Sequence, residues 1–363
     1  MDTLIKPSFS DQGVGGSHTL LIYSDGSVWS MGLNNFGQLG DGTRVNHALP
    51  QKISGISNVI AVSSGTTFSL ALQADGTVWG WGDNSSGQLG DGTTTKRLTP
   101  VQVVGLSNIF AISSSNAHSL ALKSDGTVWG WGNNGSGEIG DGTTISRTKP
   151  VQVIGLSNVT AITCGNYHSV AQKSDGTIWV WGNNIFGQLG DGTKINQSTP
   201  KQVAKLSNIV SFKAGIGHTI ALKADGTVWT WGDNSSGQLG DGTKIKRTSA
   251  IQVPGLSYFS SVGAGGYCSF AVKSDGSVWA WGNNGTGQLG IGTEAVSEIL
   301  KPQKMFTDTL VICTDSNHSF ALKKDHTVYA WGKNEFGQLG DGTTVKKISP
   351  VAITTIPSIS YAQ

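Results

Sequence analysis

The chain has 363 residues, of which only 13% are charged while 52 are glycine, and its formal net charge is +2. This balance provides no general field for nucleic acid or an anionic membrane, and the low charge argues against disorder. No apolar run approaches the roughly 20 residues needed to span a bilayer. Cys164, Cys268 and Cys313 are too few for a disulfide framework, and we interpret them as small buried apolar residues.

The main feature of the sequence is a repeat of 50 residues, marked by an Asp-Gly pair. The pair stands at Asp25, Asp75, Asp125, Asp175, Asp225 and Asp275, and Asp325-His326 is the seventh copy. Residues 14–363 therefore hold seven units with no gap or insertion between them. Residues 1–13 stay outside this count, and we predict that they form a surface tail. The segment Met1–Pro7 lacks the apolar middle of a signal peptide, and removal of a leader is left open.

One unit, residues 57–104, predicts four short strands in chain order. Apolar and small residues alternate with period two, and Asp75-Gly76 has the composition of a two-residue hairpin turn. A long polar loop over residues 83–95 separates the third strand from the fourth, which begins beside Pro100. The predicted strands of this unit are 57–63, 68–73, 78–81 and 99–103.

Seven such units predict an all-β, seven-bladed propeller of four-stranded antiparallel blades. A four-stranded sheet cannot bury its apolar face alone, and a closed ring of sheets solves this without polar capping units. The only candidate helix is 294–300, which Pro302 would end. Residues 351–361 align with 101–111, so we predict that 358–363 supply the first strand of the first blade and close the ring.

All twelve tryptophans lie in the third strands of the units, at two positions of one face. We interpret them as packing between blades rather than as a ligand cage, so that Trp131→Ala should cost stability. They are Trp29, Trp79, Trp81, Trp129, Trp131, Trp179, Trp181, Trp229, Trp231, Trp279, Trp281 and Trp331.

A compound motif joins Gly-x-x-His-Ser-x-Ala to Trp-Gly-Asn-Asn-x-x-Gly-Gln-Leu-Gly, most clearly at 165–171 and 181–190. In these residues the chain resembles the regulator of chromosome condensation repeat family, and its unit length and Asp-Gly-Thr-Val-Trp runs resemble bacterial members. The resemblance covers essentially the whole chain and implies a seven-bladed propeller. The founding member is a nucleotide-exchange factor that uses an inserted wedge and a basic tail. Neither is seen in this sequence.

Candidate chemical groups are spread around the ring. Histidine fills one slot in five units, at His18, His118, His168, His218 and His318, whereas Phe68 and Cys268 fill it in the others. We interpret these histidines as buried and bonded to backbone rather than as metal ligands. The aspartates of Gly-Asp-Gly-Thr are interpreted as turn caps, and Ile291 interrupts their series. Catalysis needs local convergence, so we predict no enzyme, no cofactor and no metal.

Because strands alternate in direction, the Gly-x-x-His turns and the long loops should share one face, which we call the turn face. It is where the units differ most, and varied side chains on a rigid scaffold are typical of protein-binding surfaces. We predict partner binding by Phe36, Thr67, Asn116, Asn166, Tyr167, Ile185, Phe186, Ile216, Tyr267, Asn317, Glu335 and Phe336. Phe36 and Phe336, on blades adjacent across the closure, could form one apolar patch or fold over their own loops.

The windows after Asp-Gly-Thr are biased towards Lys and Arg, with Lys244, Lys246 and Arg247 as the densest group. They form either a solvated rim or a surface for an acidic partner. We predict a monomeric, non-catalytic scaffold that recognises a macromolecule, most simply a protein. The alternatives are an exchange-factor-like regulator of a small GTPase and a carbohydrate-binding propeller. Low charge and the style of the repeat favour an extracellular or periplasmic bacterial protein over a cytoplasmic one.

Overall fold

Each repeat unit forms one four-stranded antiparallel sheet, and seven such sheets, the blades, are arranged in a ring. The computed structural model describes residues 13–204, 206–293, 295–315 and 317–356. Every blade has its strands in chain order, and the described part contains no helix. The predicted fold is confirmed.

The first four blades contain sixteen strands. These are β1 (Gly13–Val14), β2 (His18–Ile22), β3 (Val28–Gly32), β4 (His47–Lys52), β5 (Val59–Ser64), β6 (Phe68–Gln73), β7 (Val78–Gly82), β8 (Arg97–Gln102), β9 (Ile109–Ser114), β10 (His118–Lys123), β11 (Val128–Gly132), β12 (Arg147–Gln152), β13 (Val159–Cys164), β14 (His168–Lys173), β15 (Ile178–Gly182) and β16 (Gln197–Gln202).

The last three blades contain twelve. These are β17 (Ile209–Ala214), β18 (His218–Lys223), β19 (Val228–Gly232), β20 (Arg247–Gln252), β21 (Phe259–Ala264), β22 (Cys268–Lys273), β23 (Val278–Asn283), β24 (Glu298–Lys304), β25 (Thr309–Thr314), β26 (His318–Lys323), β27 (Val328–Gly332) and β28 (Lys347–Ala352).

The Asp-Gly pairs form the predicted hairpins between second and third strands. In the second blade the side chain of Asp75 accepts a hydrogen bond from the backbone N–H of Thr77 at 2.9 Å, and Gly76 has a φ of +79°. The left-handed region suits glycine, which explains why it follows the aspartate. The turn sets the register in which Phe68 pairs with Gly82.

The core lies between blades rather than inside one of them. Leu20 and Val28 of the first blade pack in one buried cluster with Val62 and Trp81 of the second, and half-buried Trp79 packs against the same cluster. Corresponding clusters join later pairs of blades. The interpretation of the tryptophans as packing between blades is confirmed.

The candidate helix at 294–300 is wrong. Residues 298–304 form strand β24, in which Ile299 pairs with Gly282 and is buried. Pairing along the sheet outweighs the weak local helix preference. Pro302 precedes Gln303, the partner of Ala280, just as Pro100 precedes Val101, the partner of Gly80. It therefore marks a fourth strand, not the end of a helix.

The constant spacing hides a compensated shift in the sixth blade. Gly282 pairs with residue 299, whereas Gly232 pairs with residue 247, so the outer loop of the sixth blade is two residues longer. The connection from β24 to β25 is two residues shorter than the connection from β20 to β21. The expectation that no insertion interrupts the units is therefore wrong for this blade, although the period survives.

At the junction of the ring, β1 pairs Gly13 with Leu20 and Val14 with Thr19. Gly13, placed in the tail by the sequence, is thus part of the first blade. Residues 1–12 and the closing strand predicted at 358–363 lie outside the described residues.

Candidate functional site

The turns between first and second strands and the loops between third and fourth strands are bonded to each other on the turn face. The N–H of Asp83 donates to the carbonyl of Thr67 at 2.9 Å, and the N–H of Asn183 donates to that of Tyr167 at 2.8 Å. The same bond joins Asn283 to Tyr267 and Lys333 to Asn317. Each blade therefore presents a turn and a loop as one fixed unit, as the alternation of strand direction predicts.

A buried asparagine organises each long loop. Asn84 accepts the N–H of Leu89 at 3.0 Å through its side-chain oxygen, and its amide donates to Asp91 and to the carbonyls of Thr93 and Thr95. The residue is asparagine in all seven units, at Asn34, Asn84, Asn134, Asn184, Asn234, Asn284 and Asn334. Sequence reasoning missed this role, although a polar residue that never changes among seven copies was the signal for it.

The loop aspartates are turn caps, as predicted, and most also bind a cation from the fourth strand. Asp91 accepts the N–H and hydroxyl of Thr93 at 2.9 and 2.7 Å, and its second oxygen lies 2.7 Å from Arg97. Burial alone would raise the pKa of Asp91, but the bonds from Thr93 and Arg97 outweigh it and lower that pKa. The carboxylate therefore stays charged as a structural group.

The basic windows are largely neutralised within the protein. Further ion pairs join Asp141 to Arg147 at 2.6 Å, Asp241 to Arg247 at 2.6 Å and Asp341 to Lys347 at 3.0 Å. Lys244 pairs with Glu298 of the next blade. This supports the solvated rim over a surface for an acidic partner.

The histidines link neighbouring blades. His118 Nε2 lies 3.0 Å from the Ser169 hydroxyl, and that hydroxyl donates to the carbonyl of Glu138 at 2.8 Å. Since Ser169 has one proton and gives it to the carbonyl, His118 must donate from Nε2. The predicted burial is right, but the predicted backbone partner is wrong. In all five units the partner is a hydroxyl of the next blade, in the pairs His18–Ser69, His118–Ser169, His168–Thr219, His218–Ser269 and His318–Thr19.

Burial also fixes the charge of these groups. It lowers the pKa of His18, His168 and His318 to about 3 and the pKa of His118 and His218 to about 4. It raises the pKa of the Cys164 and Cys268 thiols to about 12. At neutral pH all these groups are therefore uncharged, which suits packing and not acid–base chemistry.

The structure brings several predicted turn residues together in an arc around the central opening of the ring. Thr66 donates to the side chain of Asn116 at 3.4 Å, and Ser115 donates to that of Asn166 at 2.8 Å. The N–H of Asn166 donates to Gly215, and the N–H of Ile216 donates to Gly266. Thr67, Asn317 and the exposed Tyr167 and Tyr267 follow the same arc on their own turns.

The predicted loop-tip residues form a separate outer group. Ile185 is 54% exposed, and Glu335 is also exposed, next to Lys333 at 3.1 Å. The three phenylalanines are half-buried, and a lysine ammonium lies over each ring. The distances to the ring centres are 4.4 Å for Lys96 over Phe36, 4.0 Å for Lys246 over Phe186 and 5.8 Å for Lys333 over Phe336. The surface around each of these phenylalanines is therefore amphipathic, and a single patch formed by Phe36 and Phe336 stays a prediction.

Sequence reasoning also missed an exposed aliphatic rim, which in five of the seven units stands two residues after the threonine of the Gly-x-Gly-Thr turn. Its members are 60–68% exposed and comprise Val45, Ile145, Ile195, Ile245 and Val345. The signal was an apolar residue recurring at one position inside a polar loop. These residues widen the turn face beyond the predicted set.

The described ranges hold no cluster of three or more His, Cys, Asp or Glu side chains arranged for a metal ion. Within the same ranges, no helix has the length and apolar character to cross a membrane.

Comparison with known proteins gives one consistent match. Residues 5–312 match the RCC1-like domain family, and residues 325–362 match the regulator of chromosome condensation (RCC1) repeat. Similar solved structures include yeast RCC1 (Prp20) bound to Kap60, with 21% identity and a TM-score of 0.81 over 98% of this chain and 88% of that one. Another is Prp20p from Saccharomyces cerevisiae, described with its binding properties to Gsp1p and histones (21% identity, TM-score 0.80, 97% and 88% covered). Human WBSCR16 has 23% identity and a TM-score of 0.78, with 90% and 93% covered.

Proposed function

The chain belongs to the RCC1-like domain family, and from this premise we propose that it is a non-catalytic scaffold that recognises a protein through its turn face. One observation carries the proposal. The turn face combines a rigid, bonded framework with exposed side chains that differ from blade to blade, of which Tyr167, Tyr267 and Ile185 are 43%, 40% and 54% exposed. Rigid aromatic and aliphatic groups give contact area at low entropic cost, which favours protein recognition.

The way in which the described polar groups are used supports a binding role over catalysis. The loop aspartates cap their own turns, and the slot histidines are neutral and bonded to the neighbouring blade. A catalytic site would need such groups to meet around one substrate. Relatives of this fold also bind proteins, since yeast RCC1 (Prp20) has been solved bound to Kap60, and Prp20p is described with binding properties to Gsp1p and histones.

A paired substitution on the fourth blade tests the proposed face. Tyr167 and Ile185 stand on the turn and loop that the Asn183–Tyr167 bond holds together. In quantitative affinity capture from the source cells, Tyr167→Ala/Ile185→Ser should reduce recovery of the specifically bound protein at least tenfold. The matched control is Tyr258→Asn, because Tyr258 is 80% exposed on the opposite, hairpin face and asparagine fills its slot in four other units. Equal recovery with the two variants would reject the turn face.

The two alternatives make different predictions. An exchange factor accelerates release of labelled nucleotide from a small GTPase, and a scaffold leaves that rate unchanged. A carbohydrate-binding propeller gives hits on a glycan array that Tyr167→Ala removes. The bacterial origin, the secreted location and the monomeric state stay predictions from the sequence.

A further inference from the structure

The first strands of the blades line a central channel of about 470 Å³. At one level of this channel each blade contributes the residue that pairs with the third residue of its second strand. The seven residues at this level are Gly13, Ser63, Ser113, Thr163, Lys213, Gly263 and Cys313. At this level the second to fourth blades contribute hydroxyl groups and the fifth contributes the ammonium group of Lys213. Gly263 of the sixth blade lies next in the ring.

Hydrogen bonds between the second, third and fourth blades use the lone pairs of the channel hydroxyls. Ser63 Oγ accepts both the N–H and the hydroxyl of Ser114, at 2.8 and 2.9 Å. Ser113 Oγ accepts the N–H of Cys164 at 2.9 Å. The Ser63 proton has no acceptor among the described residues, so that hydroxyl remains available as a donor. The Ser113 hydroxyl lies beside the Cys164 thiol, a weak acceptor that a stronger one can replace.

Other side chains that line the channel also offer hydrogen-bond donors. Asn166 accepts the Ser115 hydroxyl through its oxygen at 2.8 Å, which leaves its amide N–H groups without an acceptor in the described ranges. The Thr163 hydroxyl and the Lys213 ammonium also lack a partner there, and both residues line the channel. On the side formed by the second to fifth blades, the wall of the channel thus offers donors and one positive charge, whereas the Asp315 carboxylate lines it on the seventh blade.

We propose that this channel binds a carboxylate group, with Lys213 supplying the charge and the hydroxyls of Ser63, Ser113 and Thr163 with the Asn166 amide supplying hydrogen bonds. A carboxylate accepts several donors at once, and bonds to an ionised acceptor are the stronger ones. Lys213 is the only Lys or Arg among the residues that line the channel, so its ammonium supplies the positive charge for one carboxylate on that side. Asp315 also lines the channel, and its carboxylate disfavours an anion of higher charge such as phosphate.

Gly263 leaves the space that the ligand would occupy. A Cβ at this position would meet only atoms 3.5 Å or more away, on Phe270 and Thr314, so a side chain there can extend into the channel without a clash. Gly263→Met should therefore block the channel without removing any donor. Lys213→Met removes the charge while keeping the length of the side chain. Lys201→Met, on the exposed outer strand β16, is the control for loss of a lysine.

The experiment is a calorimetric titration, in which N-acetylglutamate amide or propionate is added to the full chain and the heat of binding is measured. N-acetylglutamine amide serves as the uncharged probe. We expect saturable one-to-one binding of the charged probes, at least tenfold weaker in Lys213→Met and in Gly263→Met and unchanged in Lys201→Met. Tighter binding of N-acetylglutamate amide than of propionate identifies an acidic side chain of a peptide as the source of the carboxylate, and equal binding identifies a small free acid.

Three outcomes overturn the proposal: no saturable binding of either charged probe, equal binding of the glutamine probe, or unchanged affinity in both channel variants. Circular dichroism melting of each variant separates loss of the site from loss of the fold. If Lys213→Met does not fold, Gly263→Met decides alone. The result is independent of the turn-face variants, which leave all the channel donors named here in place.

Discussion

The fifth and sixth blades share four strands in the same order but hold their outer loops by different chemistry. In the fifth blade Asp241 lies 2.6 Å from Arg247, and Arg247 pairs with Gly232 across the sheet. In the sixth, Ile291 replaces the aspartate, and Ile299 takes the place of the arginine, opposite Gly282 and buried. Ile291 packs against the cluster that contains Ile299. Either an ion pair or two apolar side chains can thus hold the outer loop at this place, provided that the loop residue and the strand residue change together.

The same two blades differ at the histidine slot. His218 donates to Ser269 of the sixth blade, whereas Cys268 fills the slot in the sixth blade. What both junctions keep is a hydroxyl that donates to the carbonyl of a loop residue of the preceding blade, together with a tryptophan N–H on the same carbonyl. The hydroxyl bond and the tryptophan bond are therefore the constant part of the junction, and the residue in the histidine slot is its replaceable part.

Removal of a junction tryptophan is the largest expected effect. Trp231 and Trp281 are fully buried, and each donates to the preceding loop at 2.9 Å. Replacement by alanine leaves a cavity and removes one of the two hydrogen bonds to the loop carbonyl, so each variant should lose about 3–5 kcal/mol of unfolding free energy. Urea denaturation measures it. A much smaller loss for Trp281→Ala than for Trp231→Ala would show that the tryptophan bond does not belong to the constant part.

Acid should destabilise the protein through the replaceable part. The histidine pKa is about 6.5 when unfolded and about 3 to 4 in the slots, so the unfolded chain binds more protons as pH falls below 6.5. Stability should be full above this pH and decrease towards pH 4, by about 1.4 kcal/mol per histidine and pH unit. His218→Cys, which copies the sixth blade, should lessen this slope by one proton. Denaturation at pH 7.5 and 5 measures the slope, and an unchanged slope would contradict a buried neutral His218.

The smallest effect concerns the outer loops. Asp241→Ile leaves Arg247 without its carboxylate and removes the acceptor of Asn234 and Thr243, so it should cost about 1–2 kcal/mol. Asp241→Ile/Arg247→Ile should recover part of the loss, with a coupling energy of about 1 kcal/mol in a double-mutant cycle.

The control cycle uses Asp191 and Gln197 of the fourth blade, whose contact is 3.5 Å and should couple weakly. Thermal or urea unfolding gives the free energies of unfolding from which both double-mutant cycles are calculated. Equal coupling in the two blades would mean that charge adds nothing to the loop of the fifth blade.

The period of the repeat predicted the fold well because every blade solves the same packing problem. The number of blades, the strand order, the hairpins and the packing role of the tryptophans all follow from residues that recur in register. The helix at 294–300 failed because a local pattern was read without the register of the sheet, in which Pro302 already marks the slot of Pro100.

The candidate site was less predictable, since it depends on contacts between units. In four of the five pairs the histidine partner is a hydroxyl 51 residues further along the chain, and no pattern within one unit reveals it. The lysines over Phe36 and Phe186 likewise come from the next blade. The asparagine of the loops could have been found, because it and the threonine nine residues later are polar loop residues that are the same in all seven copies.

The bonds between blades have a direction. At all seven junctions a hydroxyl of one blade donates to the loop carbonyl of the blade before it, including Thr19 to Gln338 across the ends of the ring. The two sides of a blade are therefore unlike, as in a head-to-tail interface, which generates rings when the rotation closes. An excised run of blades would therefore expose two different edges that are complementary to each other. Two such fragments could assemble into a closed ring through unlike edges, but they could not dimerise through two identical edges.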